Sequence, residues 1–167
     1  MQKILCFFLT LSCLVFSQNN RGYLVKIGDQ APNIDLLENY KGKVIMLQFT
    51  ASWCSVCIKE MPFIEKEIWQ KHESNDDFIL IGLAKDTPKH PQKQKEINLM
   101  RKKTGATYPI ITDKESIIFN MFAEKKAGVT RNIIIDKNGE IAFLTRLFDR
   151  KEFNEMKKII EKLLKNK

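Results

Sequence analysis

The chain has 167 residues, 44% hydrophobic and 29% charged, with a formal net charge of +8. That length suits one domain with a sizeable core, and the balance is ordinary for a globular protein, which excludes disordered and repeat architectures. The positive charge raises nucleic acid as a partner. However, the most basic stretch, Lys89 to Gly105, has no aromatic interleaving and no nucleic-acid motif, so that class is set aside.

The first seventeen residues differ in kind. Lys3 precedes an apolar block from Ile4 to Phe16, and Val15-Phe16-Ser17 supplies permitted residues at a cleavage site. This predicts a secretory signal peptide over 1–17, an exported (periplasmic) protein, and a single domain over 18–167. The block is shorter than the roughly 20 apolar residues of a spanning helix. Anchorage by an uncleaved N-terminus, or by a lipid on Cys13, is the weaker alternative. Cleavage removes Cys6 and Cys13 and leaves Cys54 and Cys57. A lone pair in an exported chain is a closed disulfide, a dithiol or half of a metal site. Zinc wants four ligands, and the only histidines, His72 and His90, stand far apart, so no metal site is expected.

Further along, Gly28-Asp29 and Ala31-Pro32 punctuate the short apolar stretches of Val25 to Leu37, and Tyr40-Lys41-Gly42-Lys43 reads as a turn. Val44 to Leu47 is a candidate buried strand. It runs into QFTASWCSVCIKEMP, residues 48–62, and a helical segment follows from about Cys57 to Glu73. Cys54 therefore falls at a strand-to-helix turn, where unsatisfied N–H groups and the helix dipole stabilise a thiolate. Cys57, one turn further on, is spaced to reach back to the same sulfur and resolve a mixed disulfide. Trp53 beside it is expected to shape an apolar surface around that sulfur. Met61, Ile64, Ile68 and Trp69 recur at helical spacing, and Pro62 should kink the helix.

Asp77 to Ala84 reads as a strand buried on both faces, followed by the turn Lys85-Asp86-Thr87-Pro88. Lys89 to Gly105 is a basic helix with Ile97 and Met100 inward, whose charge adds attraction to acidic partners or an anionic membrane surface. Next come Tyr108 to Ile111, a short helical pattern over Ser116 to Phe122, and a strand over Val129 to Asp136. The hairpin signal Lys137-Asn138-Gly139-Glu140 then leads into a partner strand, Ile141 to Leu144. The last helix, Asp149 to Lys165, carries an apolar stripe of Phe153, Met156, Ile160, Leu163 and Leu164.

Trp53-Cys54-Ser55-Val56-Cys57, with Pro62 after it and a hydrophobic strand before it, resembles the active site of the thioredoxin superfamily. The chain after residue 17 resembles the exported TlpA/ResA branch, related to the AhpC/TSA proteins. The element order agrees with the implied fold, a thioredoxin-like α/β/α sandwich with a central mixed sheet and an N-terminal β extension over Val25 to Leu37. The resemblance implies a thiol-disulfide oxidoreductase without a bound cofactor, with Cys54 as nucleophile and Cys57 as resolving thiol. It implies the reductase direction on protein disulfides such as apocytochrome c, a membrane electron donor, and a monomer or weak dimer.

The same resemblance marks departures. Thioredoxins carry a buried acid where this chain has Gln48, which cannot titrate. Asp86 falls where ResA-like proteins carry an acid near the cysteines, so it is a candidate proton handler, with helix capping as the competing role. Thr130 stands where the family has a cis-proline in its substrate groove. A non-proline cis bond costs about 2.5 to 4 kcal/mol, so the bond is either trans or held by its surroundings. Thr130 would bring a hydroxyl near the sulfurs, and Arg131 beside it is a candidate for stabilising a thiolate.

Two rival functions remain. Gly128-Val129-Thr130-Arg131 also resembles the peroxiredoxin branch of thiol peroxidases, but Leu47 and Ala51 occupy the positions of that branch's proline and threonine. A copper chaperone would use the two soft thiolates, without an adjoining methionine or histidine cluster. Ser55-Val56 between the cysteines matches neither a strongly reducing nor a strongly oxidising spacer, so the potential is left open.

Overall fold

The apolar run after the Gly42 turn folds as β1 (Val44–Thr50), and every one of its residues is buried. The computed structural model describes residues 21–166, so the expected signal peptide and Cys6 and Cys13 lie outside the described residues. After β1 come α1 (Ser55–Ile64), a π turn (Glu65–Trp69), α2 (Gln70–His72), β2 (Phe78–Lys85), α3 (Gln94–Thr104) and β3 (Ile110–Asp113). They are followed by α4 (Phe119–Phe122), β4 (Arg131–Ile135), β5 (Ile141–Leu144) and α5 (Arg150–Lys165).

The strands form one mixed sheet in the order β3-β2-β1-β4-β5. β1 is central, parallel to β2 and antiparallel to β4. Alternation along β1 sends Ile45, Leu47 and Phe49 into one apolar cluster with Phe119, Phe122 and both cysteines. Val44 and Met46 go into a second cluster with residues of α1, α3 and α5. The sandwich expected from the element order is the observed fold.

Three elements differ in detail from the expectation. Val25 to Leu37 is fastened by the isolated bridges Tyr23 to Ala123 and Gln30 to Glu140, with a 3-10 turn at Asp35–Tyr40. Gly28, at φ 90°, and Pro32 interrupt any continuous ladder. The helix expected from about Cys57 to Glu73 starts at Ser55 and carries Pro62 inside its first segment. It continues through the π turn, where the Gln70 N–H reaches the Glu65 carbonyl, and ends after α2. α3 starts later than the basic run does and closes at Gly105, φ 74°, with Ile97 and Met100 buried as expected.

The far end of this helical stretch is tied to α5 by Glu67, which accepts Arg150 Nη1 at 2.8 Å and Nη2 at 2.9 Å and also pairs with Lys157. Hydrogen bonding from Arg150, and then from Lys157, outweighs desolvation and holds the Glu67 carboxyl down at about 2. A depressed folded-state value means the stabilisation is complete above the ordinary 4.5 and is lost as pH falls through about 2. Glu67→Gln is therefore expected to lower the urea midpoint at pH 7, with the gap to wild type closing across that acid window. Urea titrations at stepped pH check this; a gap independent of pH would contradict it.

Candidate active site

Cys54 is the N-cap of α1, in extended backbone conformation (φ −87°, ψ 103°). It is joined to Cys57 by a disulfide across a Cα–Cα distance of 5.3 Å. The Cys57 N–H donates to Cys54 Sγ at 3.2 Å, so one of the helix's unsatisfied amides points at that sulfur. Cys54 keeps 8% exposure and Cys57 has none. An incoming sulfur can meet Cys54 alone.

Thr130 sits at the entrance of β4, and its hydroxyl lies 3.2 Å from both sulfurs. The described backbone contains no cis peptide bond, so Val129-Thr130 is trans. Trp53 is 48% exposed, with its ring 5.1 Å from that of His90. It lines a cavity of about 850 Å³ together with Cys54, Val56, Val129 and Thr130. The sequence-derived group of Cys54, Cys57, Trp53 and Thr130 thus comes together.

Arg131 does not join them. Adjacent strand residues point to opposite faces, so Arg131 turns away from Thr130's side. Its Nε donates to the Gly128 carbonyl at 3.0 Å, its Nη2 donates to the Arg21 carbonyl at 2.7 Å, and its guanidinium stacks 4.3 Å over the Tyr23 ring. It is 1% exposed.

Asp86 is likewise engaged elsewhere. Its carboxylate accepts the Gln92 N–H at 2.7 Å and the Glu115 N–H at 3.4 Å, and no described hydrogen bond joins it to either sulfur. Its link to the site is indirect: the Gln92 side chain accepts the Ser52 N–H at 2.9 Å, two residues before Cys54.

A buried acid on the same helix is Glu60, one helical turn after Cys57 and 1% exposed. Asn132 Nδ2 donates to Glu60 Oε1 at 2.8 Å and to Thr145 Oγ1 at 2.9 Å. Gln48, the cross-strand partner of Asn132, accepts the Tyr108 hydroxyl at 2.6 Å. Glu60 Oε2 and Gln48 Nε2 complete no hydrogen bond among the described residues. Burial pushes the Glu60 carboxyl up to about 7, against hydrogen bonding from Asn132. Sequence reasoning passed over Glu60 because a charged residue reads as solvent-facing. The available signal was its position three residues after Cys57, on the same helical face.

Lys85 is a further buried charge near the site. Its ammonium lies 3.5 Å over the Phe119 ring and donates to the Lys125 carbonyl at 3.2 Å. Desolvation, and then the charge of Arg131, lower its pKa.

For Glu60, a folded value raised above the ordinary 4.5 means that the native state holds the proton longer than the unfolded chain, so stability falls as pH rises from 4.5 to about 7. Glu60→Gln is expected to remove that slope. Its stability relative to wild type should rise by up to about 3 kcal/mol across the window and stay level above it. Denaturant midpoints measured from pH 4 to 8 check this, and a difference that does not change with pH would count against a buried protonated Glu60.

The Redoxin family model matches residues 21–163. Thiol-disulfide oxidoreductase ResA of Geobacillus thermodenitrificans is 26% identical over 128 residues, covering 70% of this chain and 67% of the relative. A solution structure from Bacteroides thetaiotaomicron, provisionally described as a protein disulfide isomerase, is 45% identical with a TM-score of 0.80, covering 87% of this chain and 94% of that one. A crystal structure from Chlorobium tepidum, provisionally a thiol:disulfide interchange protein DsbE, has a TM-score of 0.68 over 84% of this chain and 99% of that one. At 20% identity it is a likeness of fold. With a closed Cys54–Cys57 pair at the head of α1 in a thioredoxin-like sheet, the chain belongs to the Redoxin family, as a ResA-like thiol-disulfide oxidoreductase.

Proposed function

We propose that this oxidoreductase works outside the cytoplasm as a reductase of protein disulfides, recharged by a membrane-bound dithiol donor. The observation that carries the chemistry is the asymmetry of the pair, with Cys54 at the surface on a helix N-terminus and Cys57 sealed behind it. In the working direction, the Cys54 thiolate attacks one sulfur of the substrate disulfide and expels the other as a thiolate. Cys57 then loses its proton and attacks Cys54 Sγ, releasing the second substrate sulfur and closing the Cys54–Cys57 disulfide. Two electrons have passed to the substrate, and the donor dithiol restores the pair. Glu60, whose carboxyl changes protonation near neutral pH, takes the Cys57 proton in this scheme. Trp53 gives the substrate an apolar footing, and the Thr130 hydroxyl steadies the thiolate. Asp86 and Arg131 serve the site at a distance, through Gln92 and through the Gly128 turn.

The ResA relative is named for thiol-disulfide exchange, which supports this reading without fixing the direction. The domain of this scheme is 18–167, with 1–17 as its export signal.

The reduction potential of the Cys54/Cys57 couple, measured against dithiothreitol and glutathione buffers, is expected near the thioredoxin value of about −270 mV. A result near about −120 mV would reverse the proposed electron flow. Thr130→Val is expected to shift the potential by about 30 mV toward more reducing values. The hydroxyl bonds a thiolate more strongly than a disulfide sulfur, and 30 mV corresponds to about 1.4 kcal/mol for two electrons. In exchange assays Cys57→Ser should accumulate a mixed disulfide on Cys54, and Cys54→Ser should accumulate none.

A further inference from the structure

The cavity over Cys54 has a charge pattern that thiol exchange does not itself require. Lys85, Lys89, Lys125 and Lys126 line it with His90, and no carboxylate does. Two acids adjoin its lysines in sequence: Asp86, whose carboxylate is turned to the Gln92 and Glu115 N–H groups, and Glu124, which lines a neighbouring depression with Arg21 and Arg146. The lysines come from two separate parts of the chain: Lys85 ends β2 with Lys89 in the loop after it, and Lys125 and Lys126 lie in the loop before β4. Three lysines elsewhere are paired with acids, Lys41 with Glu38, Lys137 with Asp77 and Lys157 with Glu67. None of the four cavity lysines forms an ion pair among the described residues, although the chain carries 20 acidic residues that could neutralise them.

The arrangement is also fixed in place. Lys85 is 7% exposed and held between the Phe119 ring and the Lys125 carbonyl, so the loop bearing Lys125 and Lys126 is fastened to the end of β2. Between the charges lie apolar surfaces from Trp53, Val56, Val129 and Leu147, with Trp53 and Leu147 exposed at 48% and 45%. A cleft lined by one sign of charge with low-dielectric walls concentrates the field at its mouth and raises the encounter rate of an oppositely charged partner.

We propose that this cavity selects disulfides flanked by acidic residues in a polypeptide partner. The proposal rests on the oxidoreductase reading above and names its substrate class. Carboxylates on either side of the substrate disulfide would meet Lys89 on one loop and Lys125 and Lys126 on the other, while the disulfide comes to Cys54. The reaction is the one already written, with the substrate reduced to two thiols and Cys54 and Cys57 oxidised to the disulfide.

The test is a single-turnover assay with protein reduced by dithiothreitol and then desalted. Three substrates are compared: 2-hydroxyethyl disulfide and two peptides with the same disulfide loop, one flanked by glutamates and one by lysines. The acidic peptide is expected to react about tenfold faster than the basic one at low ionic strength, with the ratio collapsing toward one in 0.5 M salt. The double substitution Lys125→Glu with Lys126→Glu is expected to reverse the ratio. Equal peptide rates alongside normal turnover of 2-hydroxyethyl disulfide would overturn the proposal and leave the redox reading standing. Equal rates with salt-sensitive sedimentation on phosphatidylglycerol vesicles would overturn it in favour of a membrane role for the lysines. Failure to reduce 2-hydroxyethyl disulfide would overturn the redox reading and the substrate class together.

Discussion

β1 is paired on both edges and covered on both faces, so every polar group it carries must find its partner inside the protein. Gln48 is the residue on which this requirement falls hardest. Its carbonyl oxygen takes the Tyr108 hydroxyl, and it pairs across the sheet with Asn132, which in turn binds Glu60 and Thr145. The polar seam behind the cysteines thus links β1, α1, β4 and the segment before β3. The same strand, having no free edge, delivers Cys54 to a fixed place at the sheet's end.

Two opposite electrostatic environments meet at the disulfide. On the outer side, Lys85, Lys89, Lys125 and Lys126 line the cavity into which Cys54 faces. On the inner side, a carboxylic acid lies buried with one oxygen unbonded among the described residues. The first gives the cavity a positive field, and burial raises the proton affinity of the second. Phe119 links these layers to the core, stacking edge-on against Phe49 of β1 at 5.3 Å while Lys85 lies over its ring.

Much of this was legible in the sequence because it rests on local pattern. The apolar runs gave β1 and β2, the helical spacing of Ile97 and Met100 gave the inner face of α3, and Asn138-Gly139 marked the turn between β4 and β5, with Gly139 at φ 83°. The site was legible where the chemistry is contiguous, as in Trp53 to Cys57. It was not legible where it depends on the faces of distant elements. Thr130 and Arg131 are neighbours in sequence, yet strand alternation sends one to the sulfurs and the other to Tyr23. Asp86 and Glu60 invite the same confusion. An acid in a turn looks available and one in a helix looks solvated, whereas backbone amides engage the first and Asn132 draws the second inward.

The π turn after Pro62 makes chain length itself a structural variable. It lets Glu65 turn inward, where it accepts the Thr107 N–H at 2.8 Å, while Glu67 still reaches α5. A wide turn of this kind stores one residue more than an α-helix would use. Losing a single residue there would leave an unbroken helix but rotate everything beyond it by about 100°. Cys57 and Glu60 would keep their places, and the contacts to Thr107 and Arg150 would be cut. The helix therefore works as two coupled parts, a redox half and an anchoring half, with their relative phase set by one residue.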